Sequence, residues 1–360
     1  MSAEKPITNS PGARLRPARS LASTPLKRVH VSEADMVRES CLREGNPLPL
    51  VIEANQPGLD LAQWASARRD ELKQKMLKHG GLLFRGFGVD SPDKFSAFAR
   101  TLTPDLLDYL ERAAARSEVA PKVFTSTELA ADQWIPHHHE MSYSHNWPVH
   151  IYFYCDIPSP EGGCTPIASE RDFYQRLDPA IKKRFIERKV MYVRNYGDGL
   201  DLTWQKAFQT EDRAEVERYC RESKIEFEWM RDGRLRTRQI RQAIAQHPVT
   251  GETTWFNHAH LFHESNLPDE IREVLQRTFG SDGMPRNAFF GDGTPIDTAM
   301  LDEIRAAYKE CSIAFPWRKG DVMVLDNFLV VHGREPYKGA RRILVAMADL
   351  YVNRDIISGS

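Results

Sequence analysis

Two segments hold the side chains best suited to chemistry: Pro136-His137-His138-His139-Glu140-Met141-Ser142-Tyr143 and Asp326-Asn327-Phe328-Leu329-Val330-Val331-His332-Gly333. Two histidines and one carboxylate that leave coordination positions open suit a redox-active non-haem Fe(II), which needs those positions for a co-substrate and oxygen. Such a centre implies an oxygenase. In an extended strand residues i and i+2 project from one face, so His138 and Glu140 point together while His139 points away. Shifting the register by one fails: His139 would have Met141 as its partner, and His137 with His139 would leave Glu140 on the wrong face. The third ligand falls to His332, at the end of the apolar run 322–331, where a strand leaves a barrel. On these residues alone other readings stay open. Three successive histidines equally suit a solvated cluster, and a lone histidine after an apolar run is more often packed or hydrogen-bonded than metal-bound.

Further motifs follow in order: Gly162-Gly163-Cys164-Thr165-Pro166-Ile167-Ala168, then His332-Gly333-Arg334-Glu335-Pro336, then Arg341-Arg342. Singly they are ordinary, a tight turn with its hydroxyl and a pair of surface charges. Together with Trp134-Ile135 and the histidine string, in this order and spacing, they resemble the taurine dioxygenase-like family of Fe(II)- and 2-oxoglutarate-dependent oxygenases. Within it the chain is most similar to the branch typified by the syringomycin-pathway aspartyl hydroxylase. The resemblance runs from about residue 80 to 350 and covers the N-terminal third only weakly.

The resemblance implies that His138, Glu140 and His332 are the iron ligands and that Thr165 contacts the distal carboxylate of 2-oxoglutarate, with O2 as the second co-substrate. The basic partner of that carboxylate falls at the arginine pair, where alignment from His332 favours Arg342, with Arg341 as runner-up. A guanidinium fork matches a carboxylate better than an ammonium does. In a strand over 342–348 Arg342, Leu344 and Ala346 share a face and Arg341 points the other way. Halogenating relatives replace the carboxylate ligand by a small residue, so Glu140 favours hydroxylation of an unactivated C–H bond with release of succinate and CO2. Desaturation or cyclisation is the alternative outcome of the same iron chemistry. Four positions after the 2-oxoglutarate arginine, where the family's sulfonate users carry a basic residue, this chain has Ala346. The resemblance therefore points away from taurine, toward an amino acid or related natural-product intermediate, free or tethered to a carrier protein.

These residues need a scaffold. Apolar positions Leu61, Trp64, Ala65, Leu72 and Met76 predict a helix over 61–78 that stops at Gly80-Gly81. A buried strand follows over 81–87, and a second helix covers 92–102. Runs rich in β-branched and aromatic residues predict strands at 149–155, 190–196, 321–325 and 342–348. Between the ligand halves the texture is largely helical, with Thr210 as an N-cap for 212–222 and another helix near 267–278. The expected fold is mixed α/β (α+β): a double-stranded β-helix (jelly-roll) core with flanking helices and a helical insertion, about 197–285, between the metal-ligand halves. Residues 31–355 form the single domain. Residues 1–30, where Glu4 is the only acid among six basic side chains, read as a disordered extension. Segments 237–242 and 255–260 lie where a lid or substrate wall is expected, and Arg238 or Arg241 is a candidate for a substrate carboxylate, a charged surface strand being equally consistent.

Composition narrows the partner. The 360 residues carry 49 Lys+Arg against 50 Asp+Glu, a formal net charge of -1, so nothing global points to nucleic acid or an anionic membrane. A small-molecule substrate is expected, with a carrier protein as the one macromolecular partner the resemblance admits. Five scattered cysteines without a C-x-x-C pair fit neither a disulfide framework nor a zinc ribbon, and they suit a reducing cytoplasm. No run approaches the roughly eighteen apolar residues of a membrane span. A zinc hydrolase would also use histidines and a carboxylate, but its helical H-E-x-x-H is absent. A silent scaffold or a 2-oxoglutarate-binding sensor are the remaining classes.

Overall fold

The computed structural model describes residues 36–108, 111, 113–197, 201–280 and 283–353. The expected extension at 1–30 lies outside the described residues. Two sheets form the core. The larger has eight strands in the order Val37–Arg43, Asn46–Ala54, Gly81–Arg85, Val322–Asp326, Asn146–Ile157, Arg342–Val352, Val123–Thr125 and Glu118–Ala120. The smaller orders Ser312–Ile313, Ile167–Ser169, Val330–Arg334 and Ile135–His138. All pairings named are antiparallel except that between Asn46–Ala54 and Gly81–Arg85.

Alternation decides which side chains fill the space between the sheets. Ile151, Phe153 and Cys155 from one long strand, Ile343 and Val345 from its neighbour, and Ile167 and Val330 from the small sheet pack into one cluster. The opposite faces, carrying Tyr152, Tyr154, Leu344 and Ala346, pack against the helices Leu61–Ser66, Arg69–His79 and Pro92–Leu102. The helix expected over 61–78 is thus two, interrupted at Ala67 and Arg68, and Gly80 ends the second with φ 76°. Glycine tolerates that left-handed turn without the Cβ penalty.

The apolar run 322–331 spans two strands in different sheets, the one expected at 321–325 and a second at Val330–Arg334. Asp326 breaks it: its Oδ1 accepts the amides of Phe328 at 2.9 Å and Leu329 at 3.2 Å. His247 Nε2 faces the other oxygen at 2.9 Å. This side-chain turn carries the chain from the large sheet to the small one, so His332 sits within a strand and not at the end of one.

The stretch between the ligand halves holds helices at Arg213–Glu222 and Asp269–Phe279, the first capped by Asp212 rather than Thr210. It also forms a four-stranded sheet ordered Glu226–Trp229, Leu235–Arg241, Val190–Tyr196 and Arg286–Phe290. The strand expected at 190–196 is present, but the expectation of a largely helical insertion missed Glu226–Trp229 and Leu235–Arg241 for a physical reason. Leu235–Arg241 buries Leu235, Thr237, Gln239 and Arg241 and turns Arg236, Arg238 and Ile240 outward, so polar residues occupy the inner face and hide the alternation. Among the described residues no helix is long and apolar enough to cross a membrane.

Candidate metal centre and co-substrate cleft

His138 and His332 meet because they are direct cross-strand partners in the small sheet. Opposed residues of an antiparallel pair lie on the same face, and here the two ring centroids are 4.5 Å apart. The strand ends at His138, and Glu140 lies in the turn that follows, closed by Met141 at φ 60°. The expected i, i+2 alternation therefore holds in outcome but not in mechanism: a turn, not a strand, brings the carboxylate round. Asn327 fixes that turn, accepting the Glu140 amide at 2.8 Å and donating to the Glu140 carbonyl at 3.0 Å and the Pro148 carbonyl at 2.9 Å.

One donor atom from each of His138, Glu140 and His332 lies within 4.8 Å of the others. His332 Nε2 stands 3.8 Å from Glu140 Oε2, too far for a hydrogen bond and suited to two ligands of one ion. His138 Nδ1 faces the Pro136 carbonyl at 2.8 Å, which assigns the proton to that nitrogen and leaves Nε2 with a free lone pair. Burial lowers the pKa of both imidazoles, His332 well below its ordinary value; at His138 the nearby Glu140 charge opposes the shift. Neutral imidazoles and a carboxylate with buried walls fit a ferrous ion. Glu140 is also held by Arg116, whose Nη2 lies 2.8 Å from Oε2, both side chains 4% exposed.

The neighbouring histidines do other work. His137 turns to Ser312 Oγ at 3.0 Å, and both ring nitrogens of His139 face carbonyls, those of Asn327 and Trp255. Segment 255–260 is buried behind the ligand turn: His258 packs its ring 5.5 Å from that of His138, and His260 Nε2 meets the His137 carbonyl at 2.7 Å. It supports the ligands and is not an exposed lid.

Beside the centre, Thr165 is buried and its hydroxyl accepts Trp317 Nε1 at 3.0 Å and lies 3.4 Å from Arg341 Nη2. Arg341 Nε donates to the Gly163 carbonyl at 2.8 Å, and no carboxylate pairs with this guanidinium among the described residues. Burial, with Arg334 close by, pushes Arg341 down to about 10. Arg342 lies elsewhere, 42% exposed at its side chain and paired with Asp156 at 3.2 Å. Arg342, the expected 2-oxoglutarate contact, opens the strand, which carries an irregularity between Arg342 and Ile343, whereas Arg341, the expected runner-up just before the strand, is the one of the pair that reaches Thr165. Arg116, Asn327 and Trp317 were not singled out from the sequence. An arginine 24 positions before Glu140 carries no spacing signal.

Comparison with known proteins agrees with this geometry. Residues 44–348 match the family model described as taurine catabolism dioxygenase TauD, TfdA family. The chain is 39% identical over 310 residues to the dapdiamide synthesis protein DdaC of Enterobacter agglomerans, covering 84% of this chain and 94% of that one. It is 32% identical over 326 residues to a clavaminate synthase-like protein of Arabidopsis thaliana, with the same coverages. Among solved structures, PvcB from Pseudomonas aeruginosa superposes with a TM-score of 0.52 at 18% identity, covering 89% of this chain and 93% of that chain, a likeness of fold alone. The chain belongs to the taurine catabolism dioxygenase TauD, TfdA family and is an Fe(II)- and 2-oxoglutarate-dependent oxygenase.

Proposed function

We propose that His138, Glu140 and His332 hold the iron, that Arg341 with Thr165 receives the distal carboxylate of 2-oxoglutarate, and that the enzyme hydroxylates an unactivated C–H bond of an amino acid or related natural-product intermediate. The observation that carries this reading is the convergence of the three donors within 4.8 Å beside an arginine with no carboxylate partner among the described residues. Iron with 2-oxoglutarate and O2 supplies the oxidising power, one oxygen atom going to substrate and one to succinate as CO2 leaves. The protein's part is placement. Trp317 and Arg341 orient the Thr165 hydroxyl, Asn327 and Arg116 aim the Glu140 carboxylate, and the Pro136 carbonyl keeps the His138 proton on the nitrogen away from the site. The apolar wall of Phe153, whose ring is 5.1 Å from that of His332, limits water beside the ligands.

The substrate class is supported by the relative named for dapdiamide synthesis. With Arg341 as anchor, the position four residues later is buried Val345, as unsuited to a sulfonate as Ala346. Presentation of the substrate on a carrier protein belongs to the same proposal. The test is a mass-spectrometric screen of free amino acids, carrier-bound amino acids and pathway intermediates with Fe(II), 2-oxoglutarate and O2. A gain of one oxygen atom with matching succinate is expected, and its loss in His332→Ala. Full coupled turnover by His332→Ala would overturn the ligand assignment.

A further inference from the structure

A second cleft, of about 760 Å³, opens on the sheet of the intervening stretch, and none of the iron-centre or co-substrate residues lines it. Its size suits a small organic ligand. Cations surround it: Lys189, Lys224, Arg238 and Arg241 line it against a single acid, Glu226. Lys189 and Lys224 both sit at left-handed backbone positions, φ 59° and 51°, which are costly for a residue with a Cβ.

Two buried donors of residues lining this cleft have no acceptor among the described residues. Arg241 is 1% exposed, pairs with no carboxylate among the described residues, and leaves Nε without a hydrogen bond. Its other nitrogens donate to the carbonyls of Ile240 and Ser223 and to Gln239 Oε1, and Gln239 in turn donates to buried Glu111, whose charge opposes the burial of Arg241 without touching it. Trp147, fully buried, leaves Nε1 equally without a partner and stacks on Tyr351 with centroids 4.9 Å apart. Buried N–H groups are rarely left unmatched, and a guanidinium out of water favours an anion. Apolar wall is also present, in Ile240, Ile244 and Met191.

From this geometry we propose that the cleft binds a small organic dianion, a phosphate monoester or a dicarboxylate, whose oxyanion meets Arg241 and Trp147 and whose body lies along Ile240 and Tyr351. None of the three ligand residues lines the site, but ring contacts link it to them: Trp147 packs on Phe256 at 4.6 Å, and Phe256 on His139 at 4.4 Å, between His138 and Glu140. The proposal stands independently of the substrate assigned above.

The test is calorimetric titration of the metal-free full chain with phenyl phosphate, phthalate and, as the neutral control, phenol. Saturable binding of at least one dianion, and not of phenol, is expected; which of the two binds assigns phosphate or carboxylate chemistry. Lys224→Ser and Arg238→Ser, at exposed and half-buried positions, are expected to weaken it on the order of tenfold each, and Arg241→Met to abolish it. Binding must persist in Arg341→Met, which separates this cleft from the co-substrate site. Dianions that bind no better than phenol, that bind the lysine and arginine variants equally, or that are lost in Arg341→Met overturn the proposal and leave the two donors to water. Should Arg241→Met fail to fold, the Lys224 and Arg238 variants decide.

Discussion

At the scale of single residues, the arginine pair offers the sharpest discrimination. Arg341 has a buried hydroxyl neighbour and no carboxylate, whereas Arg342 is half-exposed and already paired. Arg341→Met is expected to raise the KM for 2-oxoglutarate on the order of 100-fold, the loss of a charge-assisted carboxylate contact. Arg342→Met should stay within about twofold, since exposed ion pairs contribute little. Steady-state kinetics against 2-oxoglutarate reads both, and equal effects would contradict the geometry. Arg116 makes a different case. It neutralises Glu140 where both side chains are buried, a role an Fe(II) ion would share. Arg116→Met is therefore expected to cost the metal-free protein about 3 kcal/mol, the usual penalty for leaving one buried partner uncompensated, and to cost the loaded protein less. Urea unfolding with and without Fe(II) and 2-oxoglutarate measures the difference.

At the scale of elements, the iron centre depends on the pairing of Ile135–His138 with Val330–Arg334, which sets His138 opposite His332. Gly333 permits that approach. A Cβ there would meet the Ile135 carbonyl oxygen at 2.6 Å, a backbone atom that cannot swing aside. Gly333→Ala is expected to open the pair and weaken Fe(II) affinity about tenfold, in the range found when ligand supports are disturbed, read by the absorbance of the Fe(II) and 2-oxoglutarate complex. Unchanged affinity would show that the register tolerates the shift. The same pairing explains what the sequence could disclose. Runs of β-branched and aromatic residues, a local signal, exposed 149–155 and 342–348 within the longer strands Asn146–Ile157 and Arg342–Val352, and the order of motifs along the chain grouped His138, Glu140 and His332. Three features stayed hidden. Arg341 precedes the strand that Arg342 opens, and the irregularity between Arg342 and Ile343 breaks the parity by which a sequence would assign their faces. The strand that follows the Asp326 turn and carries His332 lies inside one apolar run, so its change of sheet leaves no mark in the hydrophobic pattern. Arg116 reaches Glu140 across the fold from a segment without periodicity.

At the scale of the whole molecule, acid should unfold this protein through two sets of groups that act in different windows: buried histidines such as His137, His145, His258 and His260, and paired carboxylates such as Asp201. His260 is buried and neutral: burial pushes it down to about 3, though its bond to the His137 carbonyl works in the other direction. An unfolded histidine takes a proton near pH 6.5. Between pH about 6.5 and about 3 the unfolded chain thus binds a proton that the native state refuses, and stability falls as pH falls. Asp201 has the opposite sign of interaction and a lower window. Burial alone would raise its carboxyl, but Arg194 at 2.8 Å and Arg286 overcome that and hold it well below its ordinary value. Its stabilisation is complete above the unfolded pKa of about 3.9 and is lost only below it. Urea midpoints of the metal-free chain should therefore decline in two stages as pH is lowered. His260→Asn is expected to make the decline between pH about 6.5 and 4 shallower by one histidine's share, the other buried histidines keeping the rest, and Asp201→Asn to lower stability at neutral pH while making the decline below pH about 4 shallower. If His260→Asn left the upper slope unchanged, the native histidine would have to be accepting its proton without cost, and its burial against the His137 carbonyl would be wrongly drawn.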